Sequence, residues 1–251
     1  MANKLMCHVV AGYPSERECI ALLLGMQKAG IGIIEVQIPF SDPIADGETI
    51  MRANDRALDN GMNIEKSFKL ISAARKKGLT AEIYIMSYVQ KLLHYGIADF
   101  CRRARGVGVK GLIIPDLPYD SPEYGLLTDA AKDNSLHIVP VISPGMSTER
   151  LKEYLKDGNA LVYLTSTKGI TGNRLNVSEG LDKLCQAARE ISPGSKLAIG
   201  FGVQSRKDVT EILKMADIAV VGSTVIREVE ESGIKGALNL IKVLNSAPTG
   251  L

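Results

Sequence analysis

The sequence predicts an α/β fold, a single (β/α)8 TIM barrel that takes in residues 1–251 as one domain. Eight short apolar runs alternate with segments of helical periodicity, and parallel strands require such long crossovers. The length of 251 residues is close to the ~250 residues typical of this barrel. Eight repeats favour a closed barrel over an open doubly wound sheet, and no linker or low-complexity stretch divides the chain.

The predicted elements follow from periodicity and from helix caps. Ser15 and Glu18 form a capping-box pattern, and Gly30 is placed to end the first helix. Ser205 and Asp208 begin a later helix as a cap. Strands are expected near residues 5–10, 33–37, 82–87, 111–114, 137–142, 161–166, 196–201 and 218–222. Further helices are expected near 50–60, 64–77, 97–106, 122–134, 148–157, 178–191, 205–215 and 234–245.

Composition excludes several classes of protein. With 45% hydrophobic and 23% charged residues, the chain is typical of a soluble globular protein. A net charge of +2 without a basic, aromatic-rich stripe predicts no nucleic-acid partner, and no apolar run is long enough to predict a membrane span. The four cysteines and three histidines are scattered, which predicts no metal site and a reducing, cytoplasmic location. The N-terminus does not have the pattern of a signal peptide.

Two carboxylates lie in unlike surroundings within residues 35–47. Glu35 sits in a β-branched run typical of a buried parallel strand, whereas Asp46 ends a loop that contains two prolines. A carboxyl group that loses hydration is protonated more easily, and one on a loop keeps its charge, so the two could divide acid and base roles. The alternative is structural, because Glu35 could be an interior salt-bridge partner and Asp-Pro and Asp-Gly pairs form turns.

Glycines follow the last predicted strands. Gly200-Phe201-Gly202 and Gly222-Ser223-Thr224 come after the strands near 196–201 and 218–222. In barrels of this type, backbone N–H groups and a helix N-terminus at these two places bind phosphate. The segment 167–174 also contains glycine and is long enough to act as a lid. The alternative is that the glycines only permit tight turns.

A series of motifs makes the chain resemble the α subunits of tryptophan synthase over essentially its whole length. The motifs are Ile38-Pro39-Phe40-Ser41-Asp42-Pro43 with Ala45-Asp46-Gly47, Thr49-Ile50, Ala53-Asn54, Asp116-Leu117-Pro118, Gly169-Ile170-Thr171-Gly172, Gly200-Phe201-Gly202 and Gly222-Ser223. The resemblance implies a lyase that cleaves indole-3-glycerol phosphate to indole and glyceraldehyde 3-phosphate by a retro-aldol reaction.

The resemblance also implies a role for each matching residue. Glu35 matches the general acid–base, and Asp46 matches the carboxylate that accepts the indole N–H. The remaining matches are Tyr88 and Tyr163 in the indole pocket, Gly172, Gly202, Gly222 and Ser223 at the phosphate site, Thr171 in the closing loop, and Pro39 and Asp42 at the partner contact. No cofactor of the chain's own is implied. The partner is a PLP-dependent β subunit that receives indole in an α2β2 complex.

Several residues depart from the family pattern. His8 stands where an aromatic residue is common, and Gln37 stands where glycine is usual. Other departures are Tyr13, Glu48, Met51 and Gln90-Lys91, and only a few residues precede the first strand where the family commonly has a helix. These changes leave open two alternatives, namely a self-sufficient indole-releasing lyase and a weakly catalytic regulatory partner of the β subunit.

Overall fold

The computed structural model describes residues 4–156, 158–165, 179–200 and 202–246. Their strands form one parallel sheet in the order β5-β4-β3-β2-β1-β9-β8-β7-β6. The strands are β1 Leu5–Val10, β2 Ile33–Gln37, β3 Glu82–Met86, β4 Val109–Ile113, β5 His137–Val139, β6 Val141–Ile142, β7 Leu161–Leu164, β8 Lys196–Gly200 and β9 Ile218–Val221. The sheet closes almost completely into a barrel, which confirms the predicted fold class.

One proline explains why nine strands appear where eight were predicted. β5 and β6 lie at opposite ends of the strand order, yet only Pro140 separates them along the chain. Proline has no N–H to donate to a sheet ladder, so regular pairing stops there. The Pro140 carbonyl still accepts from the Tyr163 N–H at 2.9 Å. The single strand predicted over 137–142 is therefore two short strands, one paired to β4 and the other to β7.

The helices cover the outside of the barrel. They are α1 Glu16–Lys28, α2 Glu48–Asp59, α3 Ile64–Lys76, α4 Val89–Tyr95, α5 Ile97–Gly106, α6 Pro122–Asp133, α7 Thr148–Leu155, α8 Glu179–Ile191, α9 Arg206–Ile212 and α10 Ser223–Asn245. Ser15 caps α1 by accepting from the Glu18 N–H, and Gly30 follows α1 with a φ of 87°. For α1 only the Ser15 half of the predicted capping box is present, whereas Ser205 and Asp208, predicted as a cap, form a full capping box at α9.

Two helical segments were not predicted. α4 has seven residues, of which only Leu92 is buried. A helix this short shows no periodic apolar face in the sequence. α10 begins at Ser223, eleven residues before the helix predicted near 234–245, and it bends at Gly233, where φ is 66°. The prediction thus covered only the part of α10 after the bend.

The strand side chains alternate between two apolar clusters. Residues such as Cys7, Ile34 and Ile85 pack against the helices in the larger cluster. The smaller cluster, which includes Met6 and Ile33, consists almost entirely of strand residues and fills the barrel interior. Because side chains two apart share a face of a strand, the polar residues of β1 and β2 also point inward. No helix within the described ranges is both long and apolar enough to cross a membrane.

Gly111 offers a test of the barrel packing. A Cβ at this position would lie 2.6 Å from the His137 carbonyl oxygen and 2.9 Å from Cε1 of Tyr84, both on neighbouring strands. We expect Gly111→Ala to lower the free energy of unfolding by about 1–3 kcal/mol, because the neighbouring backbone must move. Urea denaturation followed by circular dichroism would measure the change.

Gly125 provides the matched control. It lies within α6, and a Cβ there would meet nothing within 4 Å. Gly125→Ala should stabilise the protein by roughly 0.5–1 kcal/mol, since alanine loses less conformational entropy in a helix. Equal effects of the two substitutions would contradict close packing at Gly111.

Candidate active site

The inner faces of β1 and β2 hold a buried pair of titratable side chains. His8 and Glu35 are register partners on the two strands. His8 Nδ1 lies 3.3 Å from Glu35 Oε1, and the two side chains are 6% and 4% exposed. The negative charge of Glu35 therefore has an imidazole as its immediate partner. Burial acts most strongly to lower the pKa of His8, but the charges of Glu35 and then Asp46 outweigh it, so this pKa lies above its ordinary value.

Asp46 is held by two donors at the carboxyl end of β2. Its Oδ2 accepts from Gln37 Nε2 at 2.6 Å and from the Tyr88 hydroxyl at 3.1 Å. Burial raises the pKa of Asp46 above its ordinary range, while the charge of His8 and these two hydrogen bonds act to lower it. Asp46 is partly exposed whereas Glu35 is buried, so the loop carboxylate does lie nearer to water than the strand carboxylate, as predicted.

Buried polar side chains set the position of this loop. Asn54 Oδ1 accepts from the Phe40 N–H at 3.0 Å, and Asn54 Nδ2 donates to the Ile50 carbonyl at 2.8 Å. The hydroxyl of Tyr88 accepts from the Ala45 N–H at 3.2 Å. Asn54 thus ties the start of the loop to α2, and Tyr88 holds its far end.

Asp116 extends this support by one further contact. Its carboxylate accepts from the N–H of Val89, the first residue of α4, at 2.9 and 3.2 Å. A carboxylate at a helix N-terminus satisfies an N–H that has no partner inside the helix. Tyr88 directly precedes Val89, so Asp116 also helps to place the hydroxyl that contacts Asp46.

The two carboxylates line one cavity of about 840 Å³ at the carboxyl ends of the strands. Tyr163 lines the same cavity, and burial raises the pKa of its hydroxyl well above the usual value, with further contributions from Glu35 and Asp46. Gly200 makes room for that hydroxyl, because a Cβ there would lie 1.9 Å from it. Tyr88, in contrast, is fully buried behind Asp46.

The opposite side of the cavity is formed by the ends of β8 and β9. Gly202, Gly222 and Ser223 all line it. Gly222 is the N-cap of α10, and no acidic residue lies in the first turn of this helix. The hydroxyl of Thr224 donates to the Val203 carbonyl at 2.5 Å, which joins the loop after β8 to the start of α10. An uncapped helix N-terminus that faces a cavity is suited to an anion.

Part of the predicted site lies outside the described residues. Thr171, Gly172 and the segment proposed as a lid belong to this part. Within the described ranges, no group of three or more His, Cys, Asp or Glu side chains is arranged to hold a metal ion.

Comparison with known proteins places this geometry in a family. The sequence model described as "Tryptophan synthase alpha chain" matches residues 1–247. The chain belongs to the tryptophan synthase alpha chain family. The alpha chain of Desulforapulum autotrophicum is 35% identical over 241 residues, covering 96% of this chain and 93% of that protein. The tryptophan synthase of Saccharomyces cerevisiae is 37% identical over 225 residues, but this chain spans only 31% of its length.

Solved structures agree with the family assignment. A chain of the tryptophan synthase a2b2 complex from Pyrococcus furiosus is 31% identical, with a TM-score of 0.87, and the match covers 97% of this chain and 98% of that one. A chain of Mycobacterium tuberculosis tryptophan synthase is 30% identical, with a TM-score of 0.88, and the match covers 97% and 91%. The resemblance stated from the motifs is therefore confirmed.

Sequence reasoning missed the partners of the two carboxylates. His8 and Gln37 were noted only as departures from the alpha chain pattern, yet they contact Glu35 and Asp46 respectively. The available signal was spacing, since Glu35 and Gln37 are two apart on one strand and must share its inner face. The loop after β6 also lines the cavity, through Ser143 and its neighbours. Its position after a barrel strand was the available signal there.

The hydrogen bond from Tyr88 to Asp46 leads to a prediction about titration. Removing the hydroxyl in Tyr88→Phe should raise the pKa of Asp46 further, because the hydroxyl stabilises the charged carboxylate. A pH titration of the side-chain carboxyl 13C signals would measure it. Tyr95→Phe is the control, since that hydroxyl instead contacts Glu65. An unchanged Asp46 titration in Tyr88→Phe would show that the hydrogen bond has no influence on this carboxylate.

Proposed function

We propose that this chain cleaves indole-3-glycerol phosphate to indole and glyceraldehyde 3-phosphate. The observation that carries the proposal is one cavity with Glu35 and Asp46 on one side and the start of α10 on the other. Its volume of about 840 Å³ lies within the range of small-molecule sites. Membership in the alpha chain family supports the same reaction.

The phosphate is proposed to bind between the loop after β8 and the start of α10. Gly202, Gly222 and Ser223 bring backbone N–H groups to that region, and the helix dipole favours negative charge there. The indole ring would then extend toward Asp46 and Tyr163. Thr171 and Gly172 belong to this proposal by family resemblance alone.

The two carboxylates are proposed to have different tasks. Glu35 gives a proton to the indole C3 and takes the proton of the side-chain hydroxyl as the carbon–carbon bond breaks. Asp46 accepts the indole N–H and stabilises positive charge on the ring, and the contacts from Gln37 and Tyr88 fix it in place before reaction. Tyr88 acts in this scheme through Asp46, because it is buried behind that residue.

Substitution of the carboxylates tests these tasks. Glu35→Gln should lower kcat for indole formation by about two orders of magnitude or more, because an amide cannot transfer the proton. Asp46→Asn should also lower kcat, since an amide stabilises a positive ring less well. Steady-state assays of indole release from the purified chain would measure both.

Two exposed residues of the same types serve as controls. Glu82→Gln, at the start of β3, and Asp55→Asn, on the outer face of α2, should leave kcat unchanged. Near-native turnover in Glu35→Gln would show that Glu35 is not the acid–base group. No turnover in the unmodified chain under any condition would contradict the lyase proposal itself.

A β subunit is the proposed partner, in an α2β2 complex like the one solved from Pyrococcus furiosus. The loop that ends at Asp46 offers it a surface, because Asp42 is exposed and Ile44 is 81% exposed. Pro39 is buried, so it shapes this loop from within.

We also propose that the chain is a single domain and is cytoplasmic. Its four buried, unpaired cysteines support a reducing location.

The shared loop predicts that partner binding and turnover are coupled. A cognate β subunit should raise the lyase rate at least about tenfold, equivalent to about 1.4 kcal/mol of transition-state stabilisation. Asp42→Ala should weaken this stimulation and leave the basal rate of the isolated chain nearly unchanged. The lyase assay with and without β subunit gives the answer. A high basal rate without stimulation would favour the self-sufficient lyase, and a negligible rate in both cases would favour the regulatory partner.

A further inference from the structure

His8 lies between the two halves of the proposed site. β1 has β2 on one side and β9 on the other, so the His8 side chain stands beside both Glu35 and the end of β9. A Cβ at Gly222 would lie 3.5 Å from His8 Cβ and 3.7 Å from His8 Cγ. The imidazole therefore occupies the space between the carboxylate and the start of α10, where the hydroxyl-bearing part of the substrate would pass.

Each member of the His8–Glu35 pair has a second polar atom without a partner. Nε2 of His8 and Oε2 of Glu35 are buried and make no hydrogen bond of good geometry to a described residue, although the Gln37 side chain lies near enough to His8 to help raise its pKa. Both residues line the cavity. A buried polar atom that lacks a partner costs free energy, which a bound group can recover. One oxygen of Glu35 thus faces the imidazole, while the other is available to a ligand.

We propose that His8 is a positioning residue that shares one proton with Glu35 and so prepares this carboxyl group for its two proton transfers. The inference rests on the proposed lyase function. In the pair with one proton, Glu35 gives that proton to the indole C3. When the carbon–carbon bond then breaks, its electron pair returns to the ring, the hydroxyl oxygen becomes the aldehyde carbonyl, and the hydroxyl proton passes to Glu35. The pair ends with the single proton with which it began.

The electrostatic surroundings of His8 are consistent with this sharing. Burial is the largest influence and lowers the pKa of His8, but Glu35 on β2 and Asp46 on the following loop raise it, and the net direction is upward. Tyr163 on β7 faces the same two carboxylates and keeps its proton. On the β9 side, Gly222 and Ser223 bring no charge. A raised His8 pKa means that the pair keeps its one proton to higher pH than a histidine at its ordinary value would allow.

The pH profile distinguishes this role from simple packing. We expect kcat of the unmodified chain to fall at high pH as the pair loses its last proton. In His8→Phe, which keeps a ring but no nitrogen, this alkaline limb should move to lower pH by about one pH unit or more, because Glu35 then holds the proton alone. His8→Asn retains an N–H donor near the position of Nδ1, but its amide cannot take up a further proton as an imidazole can. It should therefore show the same displaced limb with a higher kcat than His8→Phe at the optimum.

His94 supplies the control, because it is exposed on α4, and His94→Asn should leave the profile unchanged. An alkaline limb at the same pH in the unmodified chain, His8→Phe and His8→Asn would overturn the proposal. A uniform loss of kcat without movement of the limb would assign His8 a packing role only, and would equally overturn it.

A direct titration tests the pair without activity. The imidazole 15N signals of the three histidines can be assigned by substituting His94 and His137 in the full chain. We expect the His8 signal to titrate above its ordinary value, and to move to lower pH in Glu35→Gln. A His8 that stays neutral between about pH 6 and 9 would contradict the proposal even if both His8 variants failed to fold. If the unmodified chain had no lyase activity but His8 titrated as expected, the proposed function would fail and the pair would stand.

Discussion

A buried and a partly buried carboxylate at the mouth of a parallel barrel are the constraint on which this site depends. A buried carboxylate is unfavourable unless hydrogen-bond donors or an opposite charge stabilise it. The chain meets this requirement twice, with His8 beside Glu35 and with Gln37 and Tyr88 on Asp46. Because β1 and β2 are adjacent and in register, His8, Glu35 and Gln37 stand at neighbouring inward-facing positions, and Tyr88 approaches Asp46 from the end of β3.

The support for these carboxylates extends well beyond the cavity surface. Asn54 joins the loop after β2 to α2, and Asp116 fixes the start of α4, from which the Tyr88 hydroxyl reaches Asp46. Both Asn54 and Asp116 lie in the motifs by which the sequence resembles the alpha chains. Their contacts give these motifs a physical meaning, which is to hold a loop and a helix end in one orientation. Sites built in this way need little reorganisation when charge develops during a reaction.

The side of the cavity proposed to bind the phosphate has a different physical basis. It depends on backbone groups at the ends of β8 and β9 and on the dipole of α10, so small residues matter more there than charged side chains. The bond from Thr224 to Val203 joins the two loops into one surface. β1 lies between this surface and β2, which explains why its side chain at position 8 can influence both parts of the site.

The sequence by itself determined the alternation of strands and helices, the caps at Ser15 and Ser205, and the family, because these depend on local periodicity and on residues close together along the chain. It also indicated Glu35 and Asp46. Only the tertiary structure decided that Pro140 divides a strand, that the part of α10 before Gly233 is helical, and that α4 exists. It likewise decided that His8 and Gln37 are the partners of the two carboxylates. Burial and pairing of this kind depend on strands and loops far apart in the chain, and hydrophobic periodicity carries no information about which of them meet.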